Sequence, residues 1–106
     1  KMAGIGGCRS SGAITADTQI LVGQGKVMSI HGMATGTDTA LIHLYDVAAS
    51  GDASASNMIG MLYVNTVARG TSYAEADLHG VLFKLGLYAD VTDVSGTGTT
   101  FTVEFN

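Results

Sequence analysis

Glu75, Asp77 and His79 fall at i, i+2 and i+4 of one alternating segment. On an extended strand such residues share a face. Carboxylate oxygens and an imidazole in that row could ligate a divalent ion. Same-face neighbours stand about 7 Å apart along a strand, however, so three in succession spread rather than converge. The simpler reading is a polar face turned to solvent or to another subunit, with no metal. His31, His43 and His79 come from three different candidate strands. Three histidines can hold zinc, yet no cysteine pair or His-x-x-x-His spacing accompanies them, so ordinary sheet positions are expected. Cys8, the only cysteine, has no base near it in sequence and reads as an inert thiol. Gly4-Ile5-Gly6-Gly7 is similar to part of a phosphate-binding glycine loop. That loop needs a strand before it and a helix after it, and neither is indicated. Asp17, Asp38, Asp46, Asp52, Asp90 and Asp93 lie at or near expected turns. Aspartates there usually cap local backbone, and calcium-loop spacing is missing. The aromatic residues are four tyrosines and three phenylalanines, with no tryptophan. They suit a core and contact surfaces better than a sugar-stacking platform. These residues give no catalytic assignment and no cofactor.

The elements that must carry these residues are strands. The chain has no proline, 15 glycines and no window with helical periodicity. Period-two alternation is clearest at the end, where Phe101, Val103 and Phe105 oppose Thr100, Thr102 and Glu104. Tyr73 to His79 alternates as well. Further strands are expected at Ala13–Thr15, Gln19–Val22, Lys26–Ala34, Ala40–Val47, Met58–Val67 and Val81–Asp90, the last dividing at Gly86. Turn signals separate them, among them Gly23-Gln24-Gly25, Ser50-Gly51-Asp52 and Ser95-Gly96-Thr97-Gly98. About eight short strands at a spacing near ten residues predict an all-β, single antiparallel β-sandwich. A jelly-roll winding is expected first and an immunoglobulin-like one second. Residues 1–11, with Gly4, Gly6 and Gly7, read as a flexible N-terminal arm, and residues 12–106 as the sandwich domain.

Composition narrows the function classes. The 106 residues suit one domain. Charged residues are 13% of the chain, about half the usual share. Hydrophobic residues are 46% and mean hydropathy is +0.32. A free monomer ordinarily keeps a charged, mixed surface. Scarce charge therefore points to surface covered by other chains, with Ser and Thr hydroxyls as the alternative means of solvation. Net charge is −4 and only five basic residues exist, scattered at Lys1, Arg9, Lys26, Arg69 and Lys84. Phosphate-backbone binding needs clustered cations, so no nucleic acid is expected. Neither is a membrane partner. Lys1–Gly7 is too short and glycine-rich for a signal-peptide core. With a lone cysteine, this favours synthesis in a reducing cytosol.

Several strings occur in a suggestive order: Gly25-Lys26-Val27-Met28-Ser29-Ile30-His31-Gly32, Ile42-His43-Leu44-Tyr45-Asp46, Gly80-Val81-Leu82-Phe83, Gly86-Leu87-Tyr88-Ala89-Asp90-Val91-Thr92 and Phe101-Thr102-Val103-Glu104-Phe105. From Ile20 to the C-terminus this resembles the small β-sandwich virion proteins of tailed bacteriophages. The resemblance implies a non-enzymatic structural protein carried in many copies on the particle and made in the host cytoplasm. The expected role is a capsid decoration, or cement, protein. A tail or head-fibre module and a host-surface or carbohydrate-binding module are the alternatives. Expected partners are the major capsid protein or other virion proteins, and further copies of the chain in a closed homo-oligomer, with a trimer foremost. Contacts are expected from the arm residues Met2, Ile5 and Arg9, and from Met58, Met61 and Tyr63.

Overall fold

The structure is a computed structural model that describes residues 8–35, 38–65, 71–95 (side chains of 93–95 excepted) and 98–106. Eight strands follow in order: β1 (Arg9–Ser10), β2 (Thr18–Val22), β3 (Gly25–Thr35), β4 (Thr39–Tyr45), β5 (Met58–Asn65), β6 (Thr71–Phe83), β7 (Gly86–Ser95) and β8 (Thr99–Phe105). Two single-turn 3-10 helices, Ser50–Asp52 and Ala55–Asn57, sit in the β4–β5 connection. The strands form two four-stranded sheets, ordered β1-β8-β3-β6 and β2-β7-β4-β5. Pairing is antiparallel and nested: β1 with β8, β2 with β7, β3 with β6, and β4 with β5. Every connection except β4–β5 crosses from one sheet to the other. That winding is the jelly roll, so the first expectation for the fold holds and the immunoglobulin-like alternative is set aside.

Alternation builds the core. Ile30 and Ala34 of β3, Ala40, Ile42 and Leu44 of β4, Leu87 and Ala89 of β7, and Phe101 and Val103 of β8 are all fully buried. They close on one another between the sheets. Gly32 makes room for one of them: a Cβ there would meet Phe101 Cε1 at 2.9 Å. Large side chains can pack against a strand that offers no side chain of its own.

One irregularity sets which residues face out. Along β3 and β6 the register moves from Val27↔Val81 to Ser29↔Asp77. Leu78, His79 and Gly80 thus oppose the single residue Met28. His79 and Gly80 have φ of 54° and 80°. Before this bulge Tyr73, Glu75 and Asp77 point outward; after it Leu82 does, and Phe83 turns into the core. A period-two strand reverses face in this way only where its register is broken.

Two sequence expectations need correction. Residues 9–11 belong to the sheet rather than to a free arm. Arg9 pairs with Phe105 and Ser10 with Glu104, and the Ser11 N–H donates to the Val103 carbonyl at 2.8 Å. β8 offers an open edge there, and backbone pairing outweighs the flexibility suggested by nearby glycines. Residues 1–7, with Met2 and Ile5, lie outside the described residues. Ala13–Thr15 is not a strand: Ile14 alone bridges to Phe101 and buries its side chain in the core.

Candidate interaction surfaces

The outer face of β8-β3-β6 is a polar lattice built by register. Glu104, Ser29 and Asp77 form one cross-strand row, and Thr102, His31 and Glu75 the next. The Ser29 hydroxyl donates to Glu104 Oε1 at 2.6 Å and lies 3.1 Å from His31 Nε2. His31 Nε2 is also 3.5 Å from the same carboxylate oxygen. A serine, a histidine and a glutamate in contact invite comparison with a nucleophilic triad. In a triad the carboxylate holds one imidazole nitrogen and the hydroxyl meets the other. Here both converge on Nε2, and the hydroxyl proton goes to the carboxylate, so the serine gains no base. The hydrogen bonds from Ser29 and then His31 hold the Glu104 carboxyl below its ordinary range, against a smaller effect of burial. Sequence spacing cannot reveal this network, because Ser29 and Glu104 are 75 positions apart.

Of the row singled out in the sequence, Glu75 and Asp77 are exposed on β6, and His79 sits in the bulge, its backbone N–H donating to Asp77 Oδ1 at 3.0 Å and its Nδ1 standing 3.4 Å from the same oxygen. His31 and His43 lie on β3 and β4, in different sheets, each on the outer face, so the sandwich separates them. Among the described residues, no group of three or more His, Cys, Asp or Glu side chains is gathered where it could hold an ion. Cys8 is exposed. No helix among the described residues is long and apolar enough to cross a membrane.

The outer face of β7-β4-β5 differs in chemistry. Cross-strand rows place Met61, His43 and Asp90 together, then Tyr63, Leu41 and Thr92, with Met58, Tyr45 and Tyr88 behind. Met61 is 60% exposed and Tyr63 is 52% exposed. The Tyr45 and Tyr88 rings stand 6.3 Å apart, and His43 flanks Tyr45 at 6.4 Å. Three of the expected contact residues, Met58, Met61 and Tyr63, therefore share one surface on an edge strand. Its ionisable carboxyl, Asp90, is pushed above the ordinary range by burial and then by Asp17, with His43 opposing. Burial, Asp17 and Asp90 likewise push the Tyr88 phenol up. The described ionisable groups of this face are His43, Asp90 and the neighbouring Asp17, besides its tyrosines.

At the β2 side of that face, Asp17, Gln19, Ser50 and Tyr88 line a shallow depression of about 460 Å³. Asp17 is occupied, accepting the Val91 N–H at 2.9 Å. The Gln19 amide donates to Val47 and Leu21 carbonyls at 2.9 and 3.0 Å, tying β2 to the β4–β5 connection. Comparison with known proteins finds no counterpart: no family model, no curated protein and no solved structure matches the chain.

Proposed function

We propose that the chain is a non-enzymatic, multi-copy virion protein of a bacteriophage, a capsid decoration protein that binds the shell and further copies of itself. The observation that carries this reading is the outer face of β7-β4-β5, where Met61 and Tyr63 stand exposed beside Leu41 and the described ionisable groups are His43, Asp90 and the neighbouring Asp17. Isolated apolar side chains on a surface are ordinary, but a contiguous patch marks a contact site. Methionine and tyrosine are enriched in interface cores. The jelly roll supports the same reading, since it is a recurrent architecture of capsid proteins, as do the low charge content and the resemblance to phage virion sandwiches.

A glycan-binding role would draw on the depression at Asp17, Gln19 and Tyr88. Tyr88 is only 7% exposed, which leaves no open ring face for a sugar to stack on.

Sedimentation velocity across a concentration series tests the contact face. The intact chain is expected to self-associate and the Met61→Ser/Tyr63→Ser variant to dissociate with its fold intact. An intact chain that stays monomeric at high concentration would overturn self-association. Mass spectrometry of purified particles of the encoding phage tests the location; absence of its peptides would overturn the virion assignment.

A further inference from the structure

The cations of the described residues are confined to one end of the sandwich. Arg9 pairs with Phe105, and Lys26 pairs with Leu82 in the next row, where its backbone also bonds Asn106. Lys84 follows β6 in the tight β6–β7 turn. Three aliphatic side chains stand out at the same end: Val22 at 66% exposed, Leu82 at 65% and Leu85 at 60%. Beside Leu82 lies a depression of about 470 Å³ lined by the buried Phe83 together with Gly25, Lys26, Leu82, Lys84 and Asn106. Gly25 keeps it open towards the ring, since a Cβ there would meet Phe83 Cζ at 2.7 Å. Lys26 and Lys84 form no ion pair with a described residue. Asp46, the carboxylate that feels the Lys84 charge, is committed to backbone N–H groups.

The complement of this surface is on the same chain. Edge strand β6 presents Tyr73, 76% exposed, then Glu75 and Asp77 in one outward row. At about 7 Å between same-face residues, this is an aromatic ring followed by two carboxylates over about 14 Å. Tyr73 and Leu82 are separated along one rigid strand by more than about 20 Å. One molecule therefore cannot close the two patches on each other.

We infer that the Lys26/Lys84 end of one molecule docks the Tyr73-Glu75-Asp77 strip of a second copy, the ring entering the depression and the carboxylates meeting the two lysines. The inference rests on the self-association proposed above and specifies a second contact for it. It joins unlike patches, so it is heterologous and builds a ring where the rotation closes.

Charge exchange tests it on the full chain. Lys26→Glu/Lys84→Glu carries an acidic end and an acidic strip; Glu75→Lys/Asp77→Lys carries a basic end and a basic strip. Each variant alone is expected to associate about tenfold more weakly than the parent or worse, because like charges then face each other. Mixed one to one, they restore opposite charges at every contact of an even-numbered ring and at all but one contact of an odd-numbered ring such as a trimer, so sedimentation of the mixture should show association well above that of either variant alone. The neutral Lys26→Gln/Lys84→Gln variant checks that any loss does not come from misfolding and should lie between parent and reversal. Parental association by both reversed variants, or a mixture no better than its components, would overturn this contact while leaving the apolar face in place. A monomeric parent would instead overturn the reading on which it rests. Flotation of the parent with phosphatidylglycerol vesicles, lost in Lys26→Glu/Lys84→Glu while its oligomer is unchanged, would assign this end to lipid and likewise overturn the contact.

Discussion

Asp46 and Leu85 are 39 positions apart, and the Leu85 backbone N–H donates to Asp46 Oδ1 at 2.8 Å. The Lys84 N–H reaches both oxygens of the same carboxylate, at 2.9 and 3.0 Å. One side chain after β4 thus fastens the β6–β7 turn. Hydrogen bonds to a charged group contribute about 1.5–3 kcal/mol when well shielded; solvent reaches this turn, so Asp46→Ala should cost about 1–2 kcal/mol in urea unfolding. Asp46→Asn, which keeps one acceptor oxygen, should cost less.

Acid should loosen the fold through the same group. Burial would raise the Asp46 carboxyl, but the N–H groups of Leu85, Lys84 and Gly86 outweigh it and hold it below its reference value of 3.8. A carboxyl lowered by folding stabilises fully above its unfolded value, and that contribution is lost as pH falls through the folded one. Asp90 has the opposite sign: raised by burial and Asp17, it opposes folding once ionised. Melting temperatures from pH 2 to 7 should therefore fall less steeply on the acid side for Asp46→Asn than for the parent. Asp90→Asn should raise the melting temperature at pH 7.

Gly86 is closed in by backbone. A Cβ there would lie 2.5 Å from the Val47 carbonyl oxygen and 2.8 Å from that of Leu21. Neither can swing aside as a side chain would, so Gly86→Ala should destabilise by about 2–3 kcal/mol, as overpacked sites do. Phe101→Ala, which empties a fully buried ring site, should cost about 3–5 kcal/mol. Chemical denaturation measures both.

The β6 bulge separates two backbone costs. Gly80 has φ of +80°, and its nearest Cβ neighbour would be Met28 Sδ at 3.7 Å. Gly80→Ala therefore tests conformation without crowding and should destabilise by about 1 kcal/mol. His79, already left-handed at φ 54°, should gain slightly or stay neutral as His79→Asn. A larger loss for His79→Asn than for Gly80→Ala in thermal unfolding would contradict this account.

Strands whose two faces differ in polarity were legible in the sequence. Phe101, Val103 and Phe105 against Thr102 and Glu104 define β8 almost to the residue, and Gly86 divides β6 from β7 where expected. Met61 and Tyr63 share a face by alternation, but Met58 joins them only because the register shifts at Leu44/Tyr45, so that Met58 opposes Tyr45, a shift that no sequence pattern announces. β1 escaped because two residues carry no periodicity, and its pairing is dictated by the vacant edge of β8. The β6 bulge escaped because Glu75, Asp77 and His79 keep a regular spacing while the backbone does not. Asp46 was readable as a turn aspartate, but the turn that it caps lies in a distant part of the chain. The Ser29–His31–Glu104 network needs the β3–β8 register, which no local pattern encodes.

The nested pairing has a consequence for biosynthesis. β4 and β5 can meet as soon as residue 65 is made, but each further pair encloses the previous one, and β8 lies between β1 and β3. Phe101 and Val103, at the centre of the core, lie on the last of the eight strands and are made after β1 to β7. Until then the inner faces of β3, β4 and β7 have no complete partner layer, and they are the kind of exposed apolar strand that aggregates. Closure must wait for release of β8 and then proceed through long-range contacts, which fold slowly, on the millisecond-to-second scale.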